Sequence, residues 1–128
     1  MSQLIKKCHN VEDFRNLARK RLPGPIFNYI DGAAEDEVTY RRNTEAFNDY
    51  DLVPNVLAGV EDIDMSVDVM GFKLDLPIFC SPTALQRLFH HEGERAVALA
   101  AEKYNTLFGI SSLTTTSLRE IDEIVDSP

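Results

Sequence analysis

The run Ser81-Pro82-Thr83-Ala84 follows the short apolar segment Leu76-Pro77-Ile78-Phe79-Cys80. Leu76–Cys80 reads as a buried strand and the residues after it as a βα loop, the place where α/β folds carry their chemistry. Pro82 fixes its own φ and removes one backbone donor. Ala84 has almost no side chain, so a flat molecule could lie close against its backbone; an ordinary tight strand-to-helix connection explains the same residues equally well. A second apolar run, Leu107-Phe108-Gly109-Ile110, ends in Ser111-Ser112, whose hydroxyls either face a ligand or cap the next turn. Tyr29 carries a phenol that can donate to a carboxylate, or it is a half-buried helix tyrosine. His90 and His91, followed by Glu92 and Glu94, invite a metal reading. Adjacent histidines diverge on any regular backbone and this spacing matches no familiar zinc pattern, so no metal site is expected. The chain has no Gly-x-Gly-x-x-Gly run, no phosphate-binding lysine loop and no Gly-x-Ser-x-Gly elbow.

The elements that must carry these residues follow from local pattern. Asn10 suits an N-cap, with Asp13 three residues on, ahead of an amphipathic stretch bearing Phe14, Leu17 and Leu22. Leu22-Pro23-Gly24-Pro25 breaks that helix, and Pro25 fits the first turn of a second one carrying Ile26, Phe27, Tyr29 and Ile30. Gly32 closes it. Glu35, Asp36 and Glu37 are expected as the acidic first turn of a third helix, which continues through Val38, Ala46, Phe47 and Tyr50. Val67–Met70 and Phe72–Leu74 flank Gly71 as a hairpin. Glu94–Tyr104 reads as a helix packed along Val97, Ala100, Ala101 and Tyr104, with Asn105 as a left-handed C-cap. Ser117 with Glu120 forms a capping box before Leu118, Ile121, Ile124 and Val125. The runs Glu35–Glu37 and Glu120–Glu123 read as solvated helix faces.

The second half thus reads strand, helix, strand, helix, spaced for a right-handed parallel βαβ unit. Two parallel strands leave two open edges and cannot cover both their faces. A closed (β/α)8 barrel would need about six more strand–helix units and roughly 200 or more residues in all. The expected fold class is therefore α/β: N-terminal helices (1–55), a hairpin region (56–75) and two βα units (76–128), the opening of a larger fold. Its 128 residues, 44% hydrophobic and 27% charged, are ordinary globular composition. A net charge of −8 makes nucleic acid an unfavourable partner. The two cysteines, Cys8 and Cys80, sit in unlike contexts, so no disulfide framework is expected. With no signal-peptide pattern and no spanning apolar stretch, a soluble, cytoplasmic setting is expected.

Together these pieces resemble one family. Leu76-Pro77-Ile78, then Ser81-Pro82-Thr83-Ala84, His90 and Glu92-Gly93-Glu94, resemble the first barrel strand and loop of the FMN-dependent L-2-hydroxy acid dehydrogenases and oxidases. The glycolate oxidases, L-lactate dehydrogenases and flavocytochrome b2 belong to that family. Tyr29 in Tyr-x-x-Gly-Ala-Ala-Glu-Asp-Glu, then Thr39, Arg42-Asn43 and Ala46-Phe47, resemble its helical N-terminal region, and Ser111-Ser112 the end of its second strand. The resemblance implies the first part of a TIM barrel with FMN at the C-terminal face. It implies that the backbone at Pro82, Thr83 and Ala84 lines the flavin ring, that Ser111 hydrogen-bonds its polar edge and that Tyr29 binds the substrate carboxylate. Leu113 would shape the substrate side-chain pocket. It also implies a small 2-hydroxy acid (lactate or glycolate type) as substrate, a homo-oligomer, and for some relatives peripheral membrane contact.

The family's proton-abstracting histidine, its carboxylate-pairing arginine, its flavin-side lysine and its phosphate site lie far downstream of the matched motifs. No catalytic residue is therefore assigned in this chain. His90 and His91 are no substitutes, and an N-terminal fragment inactive alone is expected. The rival expectation is a non-catalytic module, self-associating or half of a split barrel, because the edges at Leu76–Cys80 and Leu107–Ile110 invite pairing.

Overall fold

The computed structural model describes residues 4–126, and after a 3₁₀ turn (Ile5–Lys7) its first regular element is helix α1 (Val11–Arg21). Asn10 starts α1 as expected: its side-chain oxygen accepts the Asp13 N–H at 2.8 Å, and the Asp13 carboxylate accepts the His9 N–H at 2.8 Å. Pro25 sits in the first turn of α2 (Gly24–Asp31), which ends at Gly32. Phe27 is the buried residue of this pair, with the Arg19 guanidinium 5.8 Å above its ring. Arg15 clamps Asp31 through two hydrogen bonds of 2.5 and 3.0 Å, joining α1 to α2 at the surface.

The acidic run departs from expectation. Glu35 and Glu37 have φ of 48° and 57°, so Glu35–Glu37 is a left-handed turn ahead of α3 (Val38–Glu45), not its first helical turn. The Glu37 carboxylate turns back to accept the Ala33 N–H at 3.1 Å, which holds the turn. A 3₁₀ turn (Ala46–Asp49) follows α3. The chain divides into two compact units, one ending at Gly59 and the other beginning at Val60.

The second unit opens with the expected hairpin, β1 (Val67–Val69) against β2 (Phe72–Leu74), paired Val67 to Leu74 and Val69 to Phe72. Met70 and Gly71 turn the corner with φ of 54° and 88°. Two successive positive φ values give the two-residue turn whose twist matches the strands it joins. The expected strand over Leu76–Cys80 is much shorter than its apolar pattern suggests. Among the described residues only Cys80 and Phe108 form a parallel bridge, with the Cys80 N–H donating to Leu107 at 3.0 Å and the Gly109 N–H to Cys80 at 2.9 Å. The ladder is blocked on both sides. At the next rung stands Pro82, which has no N–H to give. At the previous one the Thr106 hydroxyl donates to the Ile78 carbonyl, where a strand partner would. The order of elements is nonetheless that of a parallel α/β unit.

Helix α4 (Glu94–Lys103) ends as Asn105 predicts. Asn105 has φ of 44°; its N–H donates to the Glu102 carbonyl and the Thr106 N–H to Ala101, both at 3.0 Å. These two bonds satisfy carbonyls that a helix end leaves orphaned. Its side-chain amide also reaches the Lys73 carbonyl at 3.3 Å and the Asp75 carboxylate at 2.7 Å, pinning the hairpin to the helix end.

The buried stripe of α4 is Glu94, Ala98 and Ala101, at i, i+4 and i+7. Ala100 and Tyr104, expected on the core face, are exposed. The two buried alanines face Phe108, Ile110, Ile121 and Val125 around a cavity of about 70 Å³. Ser117 caps α5 (Leu118–Asp122) by accepting the Glu120 N–H at 3.1 Å. The reciprocal half of the expected capping box is missing, because the Glu120 carboxylate instead pairs with Arg95 at 2.9 Å and lies 3.8 Å from Arg87. Glu120 is thus half-buried between helices, while Glu123 pairs with Arg119 on the solvent side.

Asn105→Ala should lower the unfolding free energy by about 1–3 kcal/mol, since it loses a residue tolerant of the left-handed conformation and two side-chain bonds. A shifted denaturant midpoint at unchanged slope checks this.

Candidate functional site

The bridge between Cys80 and Phe108 sets two loops side by side at the same end of the parallel pair, one running from Ser81 and the other from Gly109. Gly109 permits their close approach: a Cβ there would stand 3.0 Å from Pro82 Cδ and 3.4 Å from its nitrogen. Further along, Leu85 adopts φ 55° and ψ 39°, a left-handed conformation uncommon for a branched side chain, and its N–H donates to the Leu113 carbonyl at 3.1 Å. The expected neighbours Pro82, Thr83, Ala84, Ser111 and Leu113 therefore share one end of the unit. Pro82, Thr83 and Leu113 are exposed, and Ala84 and Ser111 half-buried.

The donors of this surface divide cleanly. Ser111 Oγ accepts the Leu113 N–H at 3.1 Å, leaving the hydroxyl hydrogen to give elsewhere. The Ser111 carbonyl accepts the Thr114 N–H at 3.1 Å. Among the described residues, the N–H groups of Thr83 and Ala84 donate to no protein acceptor. Small residues, free main-chain donors and an available hydroxyl suit a flat, polar-edged ring.

Behind the loops lies a group whose role sequence reasoning missed. Glu94 is 0% exposed. One carboxylate oxygen accepts the Gln86 N–H at 3.3 Å and the Thr115 N–H at 2.9 Å. The other accepts the Thr115 hydroxyl at 2.7 Å and the Thr116 hydroxyl at 3.0 Å. Burial alone would push this carboxyl up. The Thr115 N–H and hydroxyl, its own N–H at the start of α4 and the Thr116 hydroxyl outweigh burial and hold it down at about 2. Gly93 delivers it: φ is 51° and ψ −134°, and a Cβ there would sit 2.7 Å from Arg87 Cγ. The available signal was an acid in register with Ala98 and Ala101, together with three consecutive threonines, Thr114–Thr116, after the second strand.

Tyr29 lies in the first unit, on α2, and is 60% exposed. His90 Nδ1 accepts the Glu92 N–H at 3.3 Å, and the His90 and His91 rings are 4.4 Å apart. Among the described residues, no cluster of three or more His, Cys, Asp or Glu is arranged to hold a metal. Nor is any described helix long and apolar enough to cross a membrane.

With this geometry in hand, comparison with known proteins defines the class. Residues 18–128 match the family described as FMN-dependent dehydrogenase, and the chain belongs to that family. It is 40% identical over 112 residues to glycolate oxidase 1 of Oryza sativa subsp. indica, covering 88% of this chain and 30% of that protein. It is 38% identical over 121 residues to a peroxisomal (S)-2-hydroxyacid oxidase of Arabidopsis thaliana, covering 94% and 32%. In structure it resembles a soluble mutant of the membrane-associated (S)-mandelate dehydrogenase from Pseudomonas putida, with a TM-score of 0.85 and 32% identity, covering 91% and 34%. The chain spans about a third of the length of the relatives it matches.

The depressed Glu94 carboxyl makes stability depend on pH in acid. Its folded value, about 2, lies below the ordinary 4.5. The unfolded chain therefore takes up a proton first, and the stabilisation is complete above about pH 5 and lost as pH falls towards about 2. The second unit should lose about 3 kcal/mol over that interval. In Glu94→Gln this acid-dependent part should be absent, as read from unfolding midpoints across pH.

Proposed function

We propose that the two βα loops are the flavin-facing part of an FMN-dependent oxidoreductase that converts an L-2-hydroxy acid, of lactate or glycolate type, to the 2-oxo acid. They would be the first two of a (β/α)8 barrel. The observation that carries this is the pairing of uncommitted donors, the N–H groups of Thr83 and Ala84 and the Ser111 hydroxyl, on loops joined by the Leu85–Leu113 bond. FMN, when bound, supplies the two-electron acceptor. The chain's own groups would seat and orient. Pro82, Thr83 and Ala84 offer backbone and little bulk beneath the ring, and Ser111 donates to its polar edge. Leu113, 61% exposed, would border the substrate side chain. The role of binding the substrate carboxylate comes to the Tyr29 phenol from the family resemblance alone.

None of these residues is a general base. His90 follows the first loop with its Nδ1 already accepting the Glu92 N–H. Proton abstraction, a carboxylate-pairing arginine, a flavin-side lysine and the FMN phosphate site are assigned to further βα units of the family fold, and these two loops are assigned the seating of the ring. A second reading, self-association, is favoured by Ile78 and Phe79, which are 70% and 52% exposed beside the bridge. Sedimentation showing only a monomer would sink it.

Titration of the purified chain with FMN, followed by flavin fluorescence and amide resonances, should shift Thr83, Ala84 and Ser111. Ser111→Ala should weaken binding roughly fivefold, the worth of one hydrogen bond of about 1 kcal/mol. No shift at those three residues would overturn the placement of the ring, and turnover of lactate or glycolate by the chain alone would overturn the assignment of the chemistry elsewhere.

A further inference from the structure

We infer that Glu94 is a positioning residue, whose carboxylate fixes the first βα loop against the second so that both present one preformed binding surface. This rests on the proposed seating of a flavin on those loops. A residue in the core stripe of a helix is ordinarily apolar, and its companions Ala98 and Ala101 are. A leucine there would remove the desolvation penalty of a buried charge. What it could not do is accept four hydrogen bonds. Glu94 takes one from Gln86 on the first connection and three from Thr115 and Thr116 on the second.

The link runs further through the Thr115 hydroxyl. That oxygen accepts the Arg87 N–H at 3.1 Å while donating to Glu94 at 2.7 Å. The first connection is thus held at both Gln86 and Arg87. Immediately before them, Leu85 is kept in its left-handed conformation with its N–H on the Leu113 carbonyl, although neither residue hydrogen-bonds to Glu94. Thr83 and Ala84 lie just upstream of Leu85, and Ser111 binds the Leu113 N–H. One buried anion therefore sets the spacing of the donors on either side.

Substitution separates this role from a general contribution to folding. In Glu94→Gln the amide oxygen can still accept both N–H groups, and the amide nitrogen can donate to hydroxyls that also accept. In Glu94→Ala every link is gone. Native-state hydrogen exchange should show the Leu85, Gln86, Arg87 and Thr115 amides of Glu94→Ala exchanging roughly tenfold faster or more, with Asn105 and Thr106 at the far end of α4 little changed. Glu94→Gln should largely restore protection. Thr115→Val, which removes the acceptor for Arg87, should expose Arg87 and Leu85 and serves if the alanine variant does not fold.

Unchanged exchange at Leu85 in these variants, or equal loss at Thr106, would overturn the proposal, the latter by showing a merely structural acid. FMN titration of the same proteins separates the two readings. Roughly tenfold weaker binding in Glu94→Ala, with near wild-type binding in Glu94→Gln, supports both. A wild-type chain that binds no FMN yet keeps the exchange pattern refutes the flavin and leaves the loop coupling standing.

Discussion

A carboxylate with no exposed surface is the constraint on which the second unit turns. Glu94 sits where α4 faces the parallel pair, and nothing in the alternation of apolar residues asks for a charge there. Its burial is tolerable because every strong acceptor direction is filled by an N–H or O–H from the two loops. The dependence is mutual. The Gln86 amide, at the first residue of a 3₁₀ turn (Gln86–Leu88), and the Thr115 amide donate to no backbone carbonyl and would be left unsatisfied without the carboxylate. Gly93 completes the bargain by taking a backbone conformation that sends Glu94 inward while clearing Arg87.

The same economy of hydrogen bonds explains why the parallel pair is so short. A ladder that continued past Cys80 would need a donor at position 82, and proline has none. The chain is released from the sheet at that point, and the N–H groups of Thr83 and Ala84 emerge without partners. Regular structure stops where the loop becomes chemically available. On the opposite side Thr106 substitutes its hydroxyl for a strand amide at Ile78, so one side-chain bond joins the two backbone bonds that hold the pair.

Much of this was legible in the sequence, and the reasons differ by element. Asn10, Asn105 and Ser117 act through contacts within a few residues, so their local pattern was enough to place helix ends. Gly71 between alternating residues gave the hairpin for the same reason. The loop residues Pro82, Thr83, Ala84 and Ser111 stood out because they follow apolar runs in α/β order, while Leu113 and the role of each came from the family resemblance. What was not legible depends on partners far along the chain. Glu94 bonds residues 21 and 22 positions away, and Glu120 lies against Arg95, 25 positions away. No local periodicity distinguishes such an acid from one facing water. The turn at Glu35–Glu37 failed differently: acidic residues favour a helix start, and here two of them adopt left-handed backbone in the turn leading into α3, with Glu37 as its N-cap and not in its first helical turn.

The electrostatic consequence ties the buried anion to the proposed ligand. The chain carries a net charge of −8, a poor setting for a flavin phosphate or a carboxylate substrate. Yet the residues presented by the two loops, Pro82, Thr83, Ala84, Ser111, Ser112 and Leu113, are all neutral. The nearby Glu94 carboxylate is buried and has its charge met by four donors. A neutral, donor-bearing surface stabilises electron density that builds on a ring edge, and it does so without supplying a counter-charge that would hold an anion in place regardless of fit. Affinity for an anionic group must then come from cations on other elements, while these loops decide where the ring lies. The division follows from Glu94 itself: an acid turned outward at this position would repel what the loops are proposed to receive, and turned inward it is what keeps them in register.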